Sequence, residues 1–210
     1  MGLWARIFAA TYEKGSARAE RAGLGEARET LLRGVEGRVL EIGAGTGWNI
    51  VRYPAGTDVT FTEPDPHMAR RLRAKGVDVV AAGAEALPFE DGSFDTVVST
   101  LVLCTVPDVP ATLREIRRVL GPGGKLLFLE HVRAEAGSKL ERWQDRLHGP
   151  WHAVACGCHC NRDTLAALTE AGFTVDEVQH RAWRFMPPIV RPVVIGAARS
   201  STRGRIRFVL

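Results

Sequence analysis

Residues Arg38–Asn49 read RVLEIGAGTGWN, and the fold is decided by them. Val39-Leu40-Glu41-Ile42 is a short, mostly apolar run of the kind that makes a buried strand. It passes directly into Gly43-Ala44-Gly45-Thr46-Gly47. Glycine at every second position permits a tight turn and leaves room for a ligand to touch the backbone. The residues after Gly47 are expected to start a helix whose free N–H groups point back at the loop. Strand, glycine loop and helix make a nucleotide-type cradle at the end of the first strand of an α/β sheet.

The dinucleotide fingerprint is G-x-G-x-x-G. Here the third glycine comes one place early, at Gly47, and Trp48 stands after it. With Glu41 inside the strand, the pattern is E-x-G-x-G-x-G. It resembles motif I of class I S-adenosylmethionine (SAM) methyltransferases.

The 210-residue chain is 45% hydrophobic and 25% charged, with a formal net charge of +4. It reads as an ordinary globular protein with one full-sized core. So mild a positive balance does not by itself imply nucleic acid. Three of the four cysteines fall within Cys156–Cys160. That is not a disulfide framework, so a reducing compartment is expected. The first residues do not read as a signal peptide, and no run approaches the roughly 20 apolar residues of a spanning helix. The expected location is cytoplasmic. Leu3, Trp4, Ile7 and Phe8 recur at helical spacing. They suit a lid helix packed on the domain, with peripheral membrane contact as the alternative.

Residues 1–35 read as helical: WARIFAATYEKG, a glycine break, then EARETLLRG. A short helix is expected at Asn49–Tyr53. Asp58–Thr62 is β-branched and reads as the second strand. It ends at Glu63, where a carboxylate can accept both hydroxyls of a ribose. In Glu63-Pro64-Asp65-Pro66-His67-Met68 two prolines fix a turn, and His67–Lys75 continues as a helix that Asp65 can cap. Further strands are expected at Val77–Ala81, Phe94–Ser99, Lys125–Glu130, Phe173–Ala182 and Ile189–Ala198. Val109–Leu120 is an amphipathic helix with Leu113, Ile116, Val119 and Leu120 on one face. Gly137–Arg146 reads as a polar helix broken at Gly149-Pro150, and Leu165–Ala171 as a helix capped by Asn161 or Asp163.

Four separated motifs within 38–131 resemble the type-11 methyltransferase domain. They are the glycine loop, Glu63–Met68, AGAEALPFEDGSFD (Ala82–Asp95) and RRVLGPGGKLLFLEH (Arg117–His131). Where that family carries an adenine-contacting Asp, this chain has Gly83, which moves adenine recognition to Ala84 and Glu85. The resemblance implies a doubly wound, Rossmann-like seven-stranded sheet of order 3-2-1-4-5-7-6 whose last strand pair is antiparallel. It implies one methyltransferase domain over 36–198, with a cofactor-binding core at 38–131 and a substrate-side insertion at 132–164. A helical lid over 1–35 precedes it, and a basic tail over 199–210, holding Arg203, Arg205 and Arg207, comes after it. The expected cofactor is SAM, released as S-adenosylhomocysteine. Its expected contacts are Glu41, Gly43, Ala44, Gly45, Gly47, Glu63, Pro64, Asp65, Met68, Ala84, Glu85, Thr100 and Leu101.

At the end of the fourth strand the chain reads Thr100-Leu101-Val102-Leu103, in place of the Asn/Asp-Pro-Pro motif that binds planar amino groups. That favours a small or apolar acceptor. Three stretches narrow the resemblance to the methyltransferase-like seven group, the alkyl thiol methyltransferases: LVLCTVPD (Leu101–Asp108), GKLLFLEHVRAE (Gly124–Glu135) and WQDRLHGPWHAVACGCHCNRDT (Trp143–Thr164). Substrate-side candidates are Tyr12, Cys104, Trp143 and Trp151, and candidate bases are His131, His152 and Asp145. Cys156, Cys158, His159 and Cys160 crowd four donors into five residues, too close to wrap one tetrahedral metal, and no metal is expected. The alternatives are a quinone-ring C-methyltransferase, a lipid-amine N-methyltransferase, and a non-catalytic SAM-binding scaffold or sensor.

Overall fold

Leu126-Leu127-Phe128-Leu129 shows why the fifth strand has no polar alternation. Leu126 and Phe128 enter one buried cluster, Leu127 and Leu129 another. Successive side chains on a strand point to opposite faces. A sheet covered on both sides therefore asks for continuous apolar runs. Each fully buried Leu or Phe contributes about 1.5–3 kcal/mol relative to exposure.

The computed structural model describes residues 2–183 and 185–200. The expected basic tail beyond Ser200 lies outside the described residues. Among those described, the strands are β1 (Val39–Ile42), β2 (Val59–Thr62), β3 (Val79–Val80), β4 (Phe94–Thr100), β5 (Leu120–His131), β6 (Phe173–Ala182) and β7 (Pro192–Ser200). They form one sheet in the order β3-β2-β1-β4-β5-β7-β6, the expected topology. The first five are parallel, and β7 runs antiparallel to both β5 and β6.

The helices are α1 (Leu3–Ala19), α2 (Gly25–Leu32), α3 (Pro66–Arg73), α4 (Val109–Val119), α5 (Lys139–Val154) and α6 (Thr164–Glu170). α4 lays Leu113, Ile116 and Val119 on the Leu126/Phe128 face, and α6 adds Leu168. α2 covers the other face with Leu31 and Leu32. Asp65, Asp108, Ser138 and Asp163 each accept a backbone N–H at the start of α3, α4, α5 and α6. A cap of this kind is typically worth about 1 kcal/mol.

Five local expectations are corrected. The glycine loop is succeeded by no α-helix, only a 3₁₀ turn at Ile50–Arg52, so no helix dipole points at the loop. α1 runs straight through Gly15, and the break comes at Ala22-Gly23, where Gly23 takes φ +117°. α5 continues through Gly149-Pro150. An interior proline costs about 3 kcal/mol in a helix. Packing outweighs this: Leu147, Trp151 and Ala155 of this region lie against Cys104, Cys158, Cys160, Ile189 and Val190. Earlier on the same helix, buried Gln144 donates to the carbonyls of Val132, Cys160 and Ile189 at 3.1, 2.7 and 2.9 Å and accepts from Ala134 N at 2.7 Å. β3 is only two residues long, and Pro188–Val190, expected to reach into the last strand, forms a 3₁₀ turn.

Candidate functional site

The three loop glycines do different work. All have positive φ: +54° at Gly43, +58° at Gly45 and +87° at Gly47. A Cβ at Gly43 would sit 2.8 Å from Val102, and one at Gly47 would sit 2.5 Å from Ile50 and 2.7 Å from Leu72. Those two glycines let the loop pack on its neighbours. A Cβ at Gly45 would meet only a carbonyl oxygen at 4.0 Å and otherwise points into open space. Gly45 is where the backbone lies open to a ligand.

That space is a cavity of about 710 Å³ across the carboxyl ends of β1, β2, β4 and β5. Its wall includes Glu41, Gly43, Ala44, Gly45, Glu63, Pro64, Asp65, Met68, Ala84, Glu85, Thr100 and Leu101, all expected at the cofactor site. Tyr12, Cys104, Trp151 and His131, expected on the acceptor side, line the same cavity. Gly47 does not; its place is against Ile50 and Leu72.

Glu63 ties two walls together. Its Oε2 accepts from Gly45 N at 2.7 Å and its Oε1 from Asp65 N at 2.8 Å. Burial raises its pKa above the ordinary carboxylate range, against the pull of those two N–H groups. Asp65 is spent on α3: its Oδ1 accepts from His67 N at 2.8 Å and Met68 N at 2.9 Å. Glu85 Oε1 is buried without a hydrogen-bond partner, and a Cβ on Gly83 would lie 2.9 Å from Glu85 Oε2. Glu85 therefore fills the space an aspartate at position 83 would need.

A buried polar network closes the floor beneath the loop. Arg28 Nε donates to Glu20 Oε1 at 2.9 Å, and Arg28 Nη1 donates to Asn49 Oδ1 at 3.1 Å and Thr100 Oγ1 at 2.8 Å. Asn49 Nδ2 donates to Glu41 Oε1 at 3.0 Å, and the Tyr53 hydroxyl donates to Glu41 Oε2 at 2.6 Å. Burial pushes the Glu41 carboxyl up to about 7 even though Tyr53, Arg28 and Asn49 all favour its anion. Both Glu41 oxygens are thus occupied by protein donors. Arg28, Glu20 and Asn49 belong to the site although no motif marks them. Arg28 does leave a signal in the chain: Leu24, Arg28, Leu31 and Leu32 fall on one helical stripe, which puts a charge on an apolar face.

Beyond β4 the chain leaves the sheet through Leu101, whose φ of +62° is strained for a branched residue. Glu130 holds the turn. Its buried carboxylate accepts from Ser99 Oγ at 2.6 Å, Val102 N at 3.1 Å and Cys104 N at 3.3 Å. His131 is next on β5. Its Nδ1 is buried and unpartnered, and burial lowers its pKa to about 4, with the nearby Val190 backbone pulling the other way.

Three expected residues lie away from the cavity wall. Trp143 is 53% exposed on the outer face of α5, with the Arg146 guanidinium 5.9 Å from its ring centre. Asp145 accepts from Asn161 Nδ2 at 2.8 Å and pairs with Arg133 at 2.6 Å; these partners hold its pKa low. His152 joins His148 and His159 in an outer cluster, with ring centroids 4.6–5.8 Å apart. On α5, Trp143, Asp145 and His152 are exposed, while Trp151 is half-buried on the cavity wall. Among the described residues no three His, Cys, Asp or Glu side chains are arranged to hold a metal ion, and no helix is long and apolar enough to cross a membrane.

The chain is similar to known proteins. Residues 40–128 match the family described as "Methyltransferase domain". The thiol S-methyltransferase TMT1A of Homo sapiens is 39% identical over 169 residues, covering 76% of this chain and 69% of that protein. Thiol S-methyltransferase TMT1B of Homo sapiens is 37% identical over 182 residues, covering 80% and 73%. A SAM-dependent methyltransferase from Thermotoga maritima has a solved structure that superposes with a TM-score of 0.72 at 25% identity, covering 96% of this chain and 100% of that one.

Proposed function

We propose a function from one premise: this chain belongs to the family of SAM-dependent methyltransferases. Its methyl donor is SAM. We infer that its acceptor is a small apolar thiol. The observation that carries this is the far end of the cavity. There Cys104, Trp151, Met186 and Val190 make an apolar wall, and the one imidazole facing it among the described residues, His131, is neutral with a bare Nδ1. The two human relatives are named for thiol S-methylation.

The donor-side residues fit the cofactor. Gly45 leaves the room a ligand needs, and the orphaned Glu85 oxygen offers an acceptor for the adenine amino group in place of the aspartate replaced by Gly83. In this reading Glu63 holds the ribose through the lone pairs its two backbone partners leave free. When bound, SAM presents a methyl group on a sulfonium, a strong leaving group, so the protein's task is alignment. α1, with Phe8 and Tyr12 on the cavity wall, acts as a lid over the acceptor.

His131 is a poor proton sink for a thiol. A group with a pKa of about 4 lies more than four units below an ordinary thiol at about 8.5. Its Nδ1 instead accepts a hydrogen bond from the entering S–H and orients it, and the reacting thiolate forms when the bound thiol gives up its proton to water. The reading is tested by offering labelled SAM with matched alkyl thiols, phenols and amines and scoring products by mass. Methylated alkyl thiols, with a rate that rises with pH until the thiol has ionised, are expected. Turnover of a quinone ring carbon or a lipid amine, with every thiol untouched, would refute the acceptor.

A further inference from the structure

Two thiols meet inside the cavity. Cys104 comes from the turn after β4 and Cys158 from the segment after α5, and both line the cavity wall. They are 1% and 6% exposed, so the cavity is their route to small reagents. The backbones are pinned beside them: His159 N donates to the Cys104 carbonyl at 2.7 Å. That bond ties the residue next to Cys158 to Cys104, and a disulfide needs the two Cα atoms about 4.4–6.8 Å apart. Their side chains pack in one buried cluster, and neither thiol is in a disulfide.

We propose that Cys104 and Cys158 are a redox-active dithiol that reduces small organic disulfides entering the cavity. The roles are unequal. Cys158 is the more accessible of the two, 6% against 1% exposed. The neighbouring Cys104 thiol, the Trp151 indole and the Arg162 guanidinium also draw its pKa down, against desolvation and Glu130, whereas the Cys158 neighbour and burial raise that of Cys104. Cys158 is therefore the attacking thiolate. It forms a bond to one sulfur of R–S–S–R, the S–S bond breaks, and the departing thiolate takes up the proton Cys158 released. Cys104 then loses its proton to the second leaving sulfur and attacks Cys158 Sγ. The sum is one disulfide reduced to two R–SH and two protein thiols oxidised to one disulfide, with no other reagent. This exchange needs no SAM, so it stands or falls apart from methyl transfer. If the acceptor is a thiol, it delivers acceptor into the chamber where transfer occurs.

The test uses the full chain, reduced and desalted, with hydroxyethyl disulfide as probe. C156A serves as the background, which removes the exposed thiol. The expected result is loss of two hydrogens in intact mass, release of two mercaptoethanols per chain, and a peptide map joining Cys104 to Cys158. The same linkage should appear in the unmodified protein. C104A should stop as a mercaptoethanol adduct on Cys158. Cys104 and Cys158 remaining reduced under excess probe would overturn the proposal. So would a stable adduct with Cys104 present, or a Cys158–Cys160 linkage in its place.

Discussion

Replacing Glu63 tests the donor site where its geometry is most specific. The carboxylate is 6% exposed and spends one lone pair of each oxygen on a backbone N–H, Gly45 at 2.7 Å and Asp65 at 2.8 Å. The remaining lone pairs are those assigned to the ribose. A hydrogen bond to a charged group is worth about 1.5–3 kcal/mol, so losing the pair in Glu63→Ala costs SAM about 3 kcal/mol after water competes for the freed hydroxyls. At 1.4 kcal/mol per tenfold, Kd rises about 150-fold. Two buried N–H groups also lose their acceptor, which costs about 1–3 kcal/mol each in stability. Glu63→Gln is not a gentle change here. Its amide nitrogen must face one of the two backbone donors, so it keeps one bond and repels the other group. We expect its affinity to fall nearer to that of the alanine variant than to wild type. The raised pKa of Glu63 adds a pH signature: the anion is the acceptor, so SAM affinity declines on acidification from a higher pH than an ordinary glutamate would give. Titration calorimetry with SAM, beside thermal melts, measures all of this. A folded Glu63→Ala protein that binds SAM like wild type would refute the ribose assignment.

Gly45→Val should abolish SAM binding seen by calorimetry, because its side chain enters the cavity, while the φ of +58° costs only about 1–2 kcal/mol in thermal stability. Glu41→Gln should flatten the pH dependence of stability. The Glu41 pKa of about 7 lies above its ordinary 4.5, so its favourable contribution is full below about 4.5 and lost as pH rises through about 7, a change on the order of 3 kcal/mol; melts across that window that match wild type would contradict it. Deleting residues 1–12 removes Phe8 and Tyr12 from the cavity wall but spares the Glu13–Lys75 pair and the Trp48–Ser16 hydrogen bond. It should lower acceptor turnover by at least about tenfold and change SAM affinity by less than about threefold, read from kcat and from calorimetry.

The sheet was legible because its determinants are local. Val39–Ile42 and Lys125–Glu130 are apolar runs next to glycine turns, and each gives a buried parallel strand wherever it stands. The donor loop was legible for the same reason, since a glycine pattern fixes its own backbone. The segment after Gly47 was less so: Ile50–Arg52 manages a single 3₁₀ turn because Asn49 is drawn into the buried network with Arg28 and Glu41. Helix α5 is not legible at Pro150, because its continuity depends on Gln144 bonding three carbonyls far apart in sequence. Trp143, Asp145 and His152 were expected at the acceptor because they lie in the stretch that resembles the alkyl thiol methyltransferases, and on α5 they turn away from the cavity instead. Cys158 stands in the chain only as one of a cysteine cluster, and its pairing with Cys104 rests on a tertiary contact that no spacing encodes.

The two ends of the cavity are stabilised in different ways. The donor loop gets its unusual backbone angles from glycine, at little steric expense. Around the acceptor end they fall on side-chain-bearing residues, Leu101 at φ +62° and Cys156 at φ +46°, with Pro150 held inside a helix. Each such position costs about 1–3 kcal/mol and persists only where neighbours over-determine it. Glu130 supplies that support under Leu101 and Gln144 under the segment after α5, both fully buried and saturated with partners. The apolar acceptor wall also packs as its own cluster, Cys104, Cys158, Cys160, Ile189 and Val190, separate from the two clusters that cover the sheet. Changes in that cluster can reshape the chamber without disturbing the strands that carry the glycine loop. In the proposed reading, acceptor choice is therefore written in the segments around Glu130 and Gln144, and donor binding in the glycine loop and Glu63.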